Sequence, residues 1–461
     1  MLDRVFHLSE RGTTVGTEVM GGLTTFMVMA YIIFVNPAIL SFAGIKTLEG
    51  QGPPFAPTLA ATCLVAGLAT LAMGLVSNYP LAIASGMGLN AVIAFQLVAG
   101  MKLPWPAAMG VVFLEGVAIT VLVLTGFREA IMNAIPMALK QAISVGIGLF
   151  ILFIGLVSAG FVKPGPPGVP VTLGDLTAAP GVVALIGLFL TLWLQARRVK
   201  GALLLGIILT TIVAIGVNAA TVGKAFPTPG QAVVPAQIVG APDFSTLGAG
   251  LNLEVFARAG FIAALVTIFS IMLSDFFDTM GTVIGIGGEA GWLDRAGRLP
   301  RLRRVLLIDS LAAAVGGAAG ASSATTYIES AAGVSEGAKT GLASVVTGFC
   351  FLLALFFAPV AGIVPPQATA AALIVVGYLM CKIVREIPFW DLEEGFPALL
   401  TLAVMPFTYS ITNGIGAGFI AHTFLKLVRG KGGAVHPMMY GAALAFLVYF
   451  ALPWLRPLFG F

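Results

Sequence analysis

Uncharged apolar runs, each near the ~20 residues that cross a hydrocarbon layer, recur along this chain every roughly 20 to 30 residues. A soluble core could not hide that much apolar surface. Of the 461 residues 58% are hydrophobic and only 10% are charged, where a soluble domain carries about 25% charged. The solvent is therefore lipid, and the fold class is an all-α polytopic membrane protein. Inside a bilayer every backbone amide and carbonyl needs an internal partner, which leaves helices for nearly every crossing.

The spans read as 20–40, 57–77, 80–100, 104–126, 138–160, 181–196 and 200–220. A Pro/Gly-rich hydrophilic stretch, Gly223–Asn252, separates them from 254–279, 303–319, 321–336, 341–361, 367–384, 395–409 and 411–428. The third member of each set is broken. Seven is odd, so the second set enters from the opposite side, giving 14 transmembrane segments as a 7+7 inverted repeat. A last apolar run, 437–455, lies beyond that pattern. With the N-terminus inside, 18 of the 24 Lys and Arg residues fall on the inner side, most densely in Arg295–Arg304. This predicts a multi-pass protein of the cytoplasmic (inner) membrane. The net charge of +4 is spread through short loops, which argues against nucleic-acid binding. Cys63, Cys350 and Cys381 sit in apolar runs with no disulfide or metal spacing, so no metal or cofactor is expected.

The two broken spans carry the polar residues of interest. Gly316–Ser323 (GGAAGASS) is too rich in glycine and serine for a confident helix interior. It leads into Thr325–Val334 (TTYIESAAGV), expected as a short extended piece and then a helix starting near Glu329. Its counterpart, Ser85–Phe95 (SGMGLNAVIAF), has Asn90 at the matching place. Paired breaks of this kind point to a transporter's substrate site.

The acids at membrane depth are Glu115, Asp275, Asp278, Asp309 and Glu329. Each costs about 2.5–3.5 kcal/mol to insert and so needs a reason to be there. For Glu115 and Asp309 a hydrogen bond to a neighbouring helix is the favoured reason. Asp275 and Asp278, three residues apart, share one helix face. Asp275 and Glu329 are favoured as substrate contacts, and Asp278 divides between ligand contact and a proton or gating role. Asn90 can both donate and accept. Phe26, Tyr31, Phe276, Phe277 and Tyr327 are each ordinary helix packing taken singly; together, beside carboxylates, they suit a flat heterocycle. His422 has no acidic partner nearby in sequence and reads as structural. Gly285–Gly288 (GIGG) and Gly86–Gly88 lack a following Lys-Ser/Thr and any βαβ context, so they are no nucleotide loop, and no enzyme is expected.

Four stretches closely resemble the adenine/guanine/hypoxanthine permease branch of the nucleobase:cation symporter-2 family. They are 21–40 (GGLTTFMVMAYIIFVNPAIL), 86–95 (GMGLNAVIAF), 274–288 (SDFFDTMGTVIGIGG) and 324–349 (ATTYIESAAGVSEGAKTGLASVVTGF). The similarity runs in order from about Phe6 through Val428. The resemblance implies a core domain of spans 1–4 and 8–11 (1–126 and 254–362) moving against a gate domain of spans 5–7 and 12–14 (127–222 and 363–461), with 223–253 as an external loop. It implies that the third and tenth spans begin as short antiparallel strands meeting at the substrate. By the same resemblance Asn90, Asp275 and Glu329 bind substrate, with Asp275 and Glu329 also candidates for proton coupling. Asp278 acts in translocation, and Leu89 and Tyr327 lend backbone contacts at the strand ends. Phe26 and Phe276 remain the stacking candidates. Uracil and xanthine branches tend to carry a histidine near the eighth-span acid. Here the run is Asp-Phe-Phe-Asp, which favours the purine branch.

The expected function is a proton-coupled symporter importing hypoxanthine, guanine and adenine by alternating access. Its partners would be the purine, the proton, the lipid bilayer and, as a homodimer, a second copy of the chain. Burial favours the neutral form of any carboxylate, which suits proton pick-up outside and release inside. The rivals are a uracil or xanthine permease of the same fold, and an anion transporter of the same architecture, which would want a base where these acids stand. A receptor or scaffold would not need two matched broken spans.

Overall fold

The computed structural model describes residues 2–459 except 44, 46, 126–133, 167, 227–230, 236 and 293–298. The side chains of 277, 281, 284, 285, 288, 289 and 452–459 also lie outside the described residues. Phe277 as a stacking candidate and the Arg295–Arg298 part of the basic loop therefore fall outside them.

The first part of the chain forms α1 (Leu2–Phe6), α2 (Val15–Met29), α3 (Ile32–Leu40), α4 (Phe55–Ser77), β1 (Ile83–Ser85), α5 (Met87–Ala91), a π-helix (Val92–Gly100) and α6 (Trp105–Thr125). Then come α7 (Met137–Ser158), the hairpin β2 (Val162–Pro164) and β3 (Val171–Leu173), α8 (Ala179–Ala196) and α9 (Ala202–Ala220). The second part forms α10 (Val255–Ala259), α11 (Phe261–Glu289), α12 (Leu302–Ala319), β4 (Ala324–Thr326) and α13 (Ser330–Ser335). It continues through α14 (Gly341–Ala354), α15 (Ala358–Ala361), α16 (Pro366–Met380), α17 (Leu392–Thr408), α18 (Ile411–Val428) and α19 (Pro437–Phe459).

Among the described residues, nine helical stretches are long and apolar enough to cross a membrane, against the fourteen spans expected. The difference has local causes. The expected third and tenth spans are split into a strand and a short helix. The α12 helix carries Arg303, Arg304 and Asp309, α17 holds Pro397 and Pro406 within 17 residues, and α18 includes Asn413, His422 and Lys426. The expected eighth span, 254–279, is instead a short helix followed by a 29-residue one that continues to Glu289. The run at 437–455 is helical and lays Phe446 against Phe419 of α18, ring centroids 5.8 Å apart.

The strands β1 and β4 pair antiparallel, Ile83 opposite Thr326 and Ser85 opposite Ala324. A two-stranded ribbon at membrane depth has two open edges, and unpaired backbone groups there cost several kcal/mol each. Side chains close both. On the β1 edge the Thr70 hydroxyl accepts from Ile83 N–H at 2.9 Å and donates to Ile83 C=O at 3.0 Å. On the β4 edge Asp309 Oδ1 accepts from Thr326 N–H at 2.8 Å. Beyond the ladder, Ser330 takes the Ala82 amide and the Ser323 carbonyl takes the Gly86 amide. Asn36 Nδ2 binds Thr62, Ser85 and the Ala321 carbonyl behind the ribbon.

Small residues set the helix approaches around it. A Cβ on Gly341 would lie 1.9 Å from the Gly74 carbonyl, and one on Gly116 would lie 2.2 Å from Ala314 N, so α4–α14 and α6–α12 touch backbone to backbone. One set of helices (α2, α4, α6, α11, α12 and α14) packs around the ribbon, and α7, α8, α9, α16, α17 and α18 pack mainly on one another. Buried Glu393 joins α17 to the end of α18 through Lys426, Arg429 and Lys431. A Lys200–Glu336 ion pair links the α8–α9 turn to the end of α13.

Candidate substrate site

The ribbon aims two short helices in opposite directions. Because β1 and β4 are antiparallel, α5 leaves one end of the ribbon and α13 leaves the other. Asn90 sits on α5, and Glu329 occupies the position before α13. Asn90 is fully buried, and neither its Nδ2 nor its Oδ1 has a hydrogen-bond partner among the described residues. Glu329 is partly accessible, and its Oε1 accepts from the Tyr31 hydroxyl at 2.6 Å. An unpaired buried amide costs about 1–3 kcal/mol, so Asn90 is a standing liability unless a ligand completes it.

The acids of α11 take different surroundings, although the sequence spacing puts them on one face. Asp275 is fully buried and lies beside Glu115 of α6, whereas Asp278 is partly accessible and within electrostatic reach of Glu329 and Asp309. Asp309 is a strand clamp: Oδ1 takes both the Thr326 amide and hydroxyl, and Oδ2 takes the Thr279 hydroxyl at 2.7 Å. Thr279 in turn meets Thr325 at 2.7 Å.

Several expected contacts have other partners. The Tyr327 amide donates to Ala82 C=O at 2.9 Å and its hydroxyl to Ser85 C=O, so both groups are committed to the ribbon and the amide is not free for a ligand. The Leu89 carbonyl is likewise taken by the Val92 amide, and its side chain is buried. Phe26 meets Phe351 edge-on at 5.1 Å and lines an apolar groove of about 320 Å³ with Ile33, Phe34, Leu204 and Leu353. No polar candidate lines that groove. Phe276 is packed among Ile119, Met272 and Leu306, between α11, α6 and α12. Phe276 is enclosed by these apolar groups, whereas Phe26 borders the groove. His422, with no acid near it in sequence, has Glu394 at 3.9 Å in space.

The model of the Permease family (Xan_ur_permease) matches residues 16–453. The chain belongs to that family. A permease moves solutes rather than transforming them, so this permease is a transporter and not an enzyme. It is 40% identical to the guanine/hypoxanthine permease PbuG of Bacillus subtilis, over 96% of this chain and 98% of that one. It is 39% identical to the adenine permease AdeP of Escherichia coli, over 97% of this chain and 95% of that one. In fold the permease is similar to the transmembrane domain of the cyanobacterial bicarbonate transporter BicA. The TM-score is 0.63 at 15% identity, covering 86% of this chain and 97% of that one. A murine Slc26a9 anion transporter in the inward-facing state gives 0.61 at 14% identity, covering 90% and 68%. At such identities the likeness concerns the fold alone.

The permease site also holds a residue that the sequence reading left among the packing aromatics. Tyr31 is 1% exposed, and its hydroxyl donates to Glu329 Oε1. No spacing links residues 298 apart. The available signal was weaker: a lone tyrosine in an otherwise apolar run, whose O–H must find a partner once buried.

Proposed function

We propose that this permease imports purine nucleobases (hypoxanthine, guanine or adenine) across the cytoplasmic membrane in symport with protons. The observation that carries the reading is the pair of groups at the two half-helix starts: an unpartnered amide on Asn90 and a carboxylate on Glu329. A neutral purine presents ring N–H donors and ring-nitrogen acceptors on one planar edge. Glu329 accepts an N–H; the Asn90 amide donates to a ring nitrogen or accepts from an exocyclic amine. The names of PbuG and AdeP support purines as the cargo class.

The finer architecture belongs to the same reading. The chain crosses fourteen times as a 7+7 inverted repeat with its N-terminus inside, supported by the antiparallel ribbon and by the Lys/Arg distribution. The core domain of 1–126 and 254–362 carries the ribbon, and the gate domain of 127–222 and 363–461 is the frame it moves against. The Lys200–Glu336 pair lies on that division, and the chain's expected partner is a second copy of itself. Proton coupling or gating falls to the carboxylates Asp278, Asp275 and Glu329. An anion would meet acids at this site, which disfavours transport of the bicarbonate class despite the shared fold.

The test is uptake of labelled hypoxanthine in permease-deficient cells. Excess adenine or guanine should suppress it, uracil should not, and a protonophore should collapse accumulation. Uptake untouched by any purine, or suppressed by uracil alone, would overturn the assignment.

A further inference from the structure

The α2–α3 junction is interrupted at Ala30 and Tyr31, and the next helix restarts with Phe34 and Val35 donating to the Tyr31 carbonyl. The buried Tyr31 side chain spans from this break to the start of α13, where its hydroxyl meets Glu329 Oε1 at 2.6 Å. An ionised carboxylate only accepts, so the phenol must be the donor, and it engages only one of the two oxygens. A charge-assisted O–H···O⁻ bond of this length restrains the rotation of the carboxyl plane. The half-helix itself contributes no side-chain cap to do so.

We propose that Tyr31 is a positioning residue: its hydroxyl fixes the Glu329 carboxyl so that the acid presents one orientation to the N–H edge of the purine. The proposal rests on reading Glu329 as the substrate acid. It makes Tyr31 act through Glu329 and not on the base itself. It also joins the first crossing to the half-helix of the tenth, so an occupied site and the α2–α3 break are one mechanical unit.

The experiment measures equilibrium binding of labelled hypoxanthine to the purified full-length permease in lipid nanodiscs. Tyr31→Phe keeps the ring and its packing; it should elute and melt like the wild type and bind about tenfold more weakly, as loss of a hydrogen bond to a charged group implies. Glu329→Asp keeps the charge but draws it back one methylene from the phenol, and should lose a similar factor. The double variant should bind no more weakly than Glu329→Asp alone, because both changes remove the same interaction. Wild-type affinity in Tyr31→Phe, or a further tenfold loss when it is added to Glu329→Asp, overturns the proposal. Should Tyr31→Phe not purify, wild-type affinity in Glu329→Asp overturns it equally. A wild-type permease that binds no purine brings down the substrate reading, whereas normal wild-type binding with an unaffected Tyr31→Phe brings down only the role of Tyr31.

Discussion

The two half-crossings have the same backbone plan and opposite chemistry. Each opens with a three-residue strand that leads into a helix, α5 running on through the π-helix to Gly100 and α13 ending at Ser335, and the strands complete one another's ladder. The first is held by neutral groups, the Thr70 hydroxyl and the Asn36 amide, and ends at Asn90, which finds no protein partner among the described residues. The second is held by an acid, Asp309, and ends at another acid, Glu329, which Tyr31 engages. The difference lies in the side chains laid on two paired strands. The helix starts lie at opposite ends of the paired ribbon, and their side chains differ: Asn90 can both donate and accept, and Glu329 accepts.

The comparison can be broken most directly at the acidic pole. Glu329→Gln should lower tracer uptake of hypoxanthine on the order of 100-fold, since it replaces a charged acceptor by a neutral amide that also donates. Accumulation at the wild-type level in that variant would leave the acidic pole without a function. The neutral pole makes a sharper prediction because affinity and stability should part. Asn90→Leu should weaken binding about 10- to 50-fold, yet melt no lower than the wild type, since it removes buried polar atoms without partners. A drop in melting temperature would mean that Asn90 serves the fold.

The two anchors come next. Asp309→Asn loses charge-assisted bonds to Thr326 and Thr279 and should cost about 1.5–3 kcal/mol in stability, read as a lower denaturation midpoint. Thr70→Val leaves the Ile83 N–H and C=O without that partner and should cost about 2–6 kcal/mol. Equal losses would remove the contrast between a charged and a neutral anchor. The smallest effect is expected at Phe26, which faces the apolar groove. Phe26→Ala should change hypoxanthine affinity by no more than about twofold, because the ring makes no contact that a polar ligand would exploit.

Much of the site was legible one residue at a time. A carboxylate or amide inside an apolar run has no inexpensive explanation, so Asn90, Asp275, Asp278, Asp309 and Glu329 stand out from composition alone. Their partners were not legible. Thr326 lies 17 residues from Asp309 and Tyr31 lies 298 from Glu329, and no periodicity crosses such distances. Helical spacing put Asp275 and Asp278 on one face but could not say what each would meet. Sharing a face does not mean sharing a neighbour, because a helix wedged between others presents adjacent turns to different elements. At Tyr327 the strand pairing takes the amide, which sequence spacing does not announce.

By itself the sequence determined the solvent, the succession of apolar segments and the two places where a helix had to fail, because hydropathy and glycine or serine content act locally along the chain. Only the tertiary structure decided which hydroxyl closes which strand edge, that Asp309 is the acid that clamps, and that Tyr31 meets Glu329. Those choices depend on the relative placement of helices far apart in the chain, set by close approaches such as Gly74 against Gly341, and hydrogen-bond geometry tolerates errors of only a few tenths of an ångström.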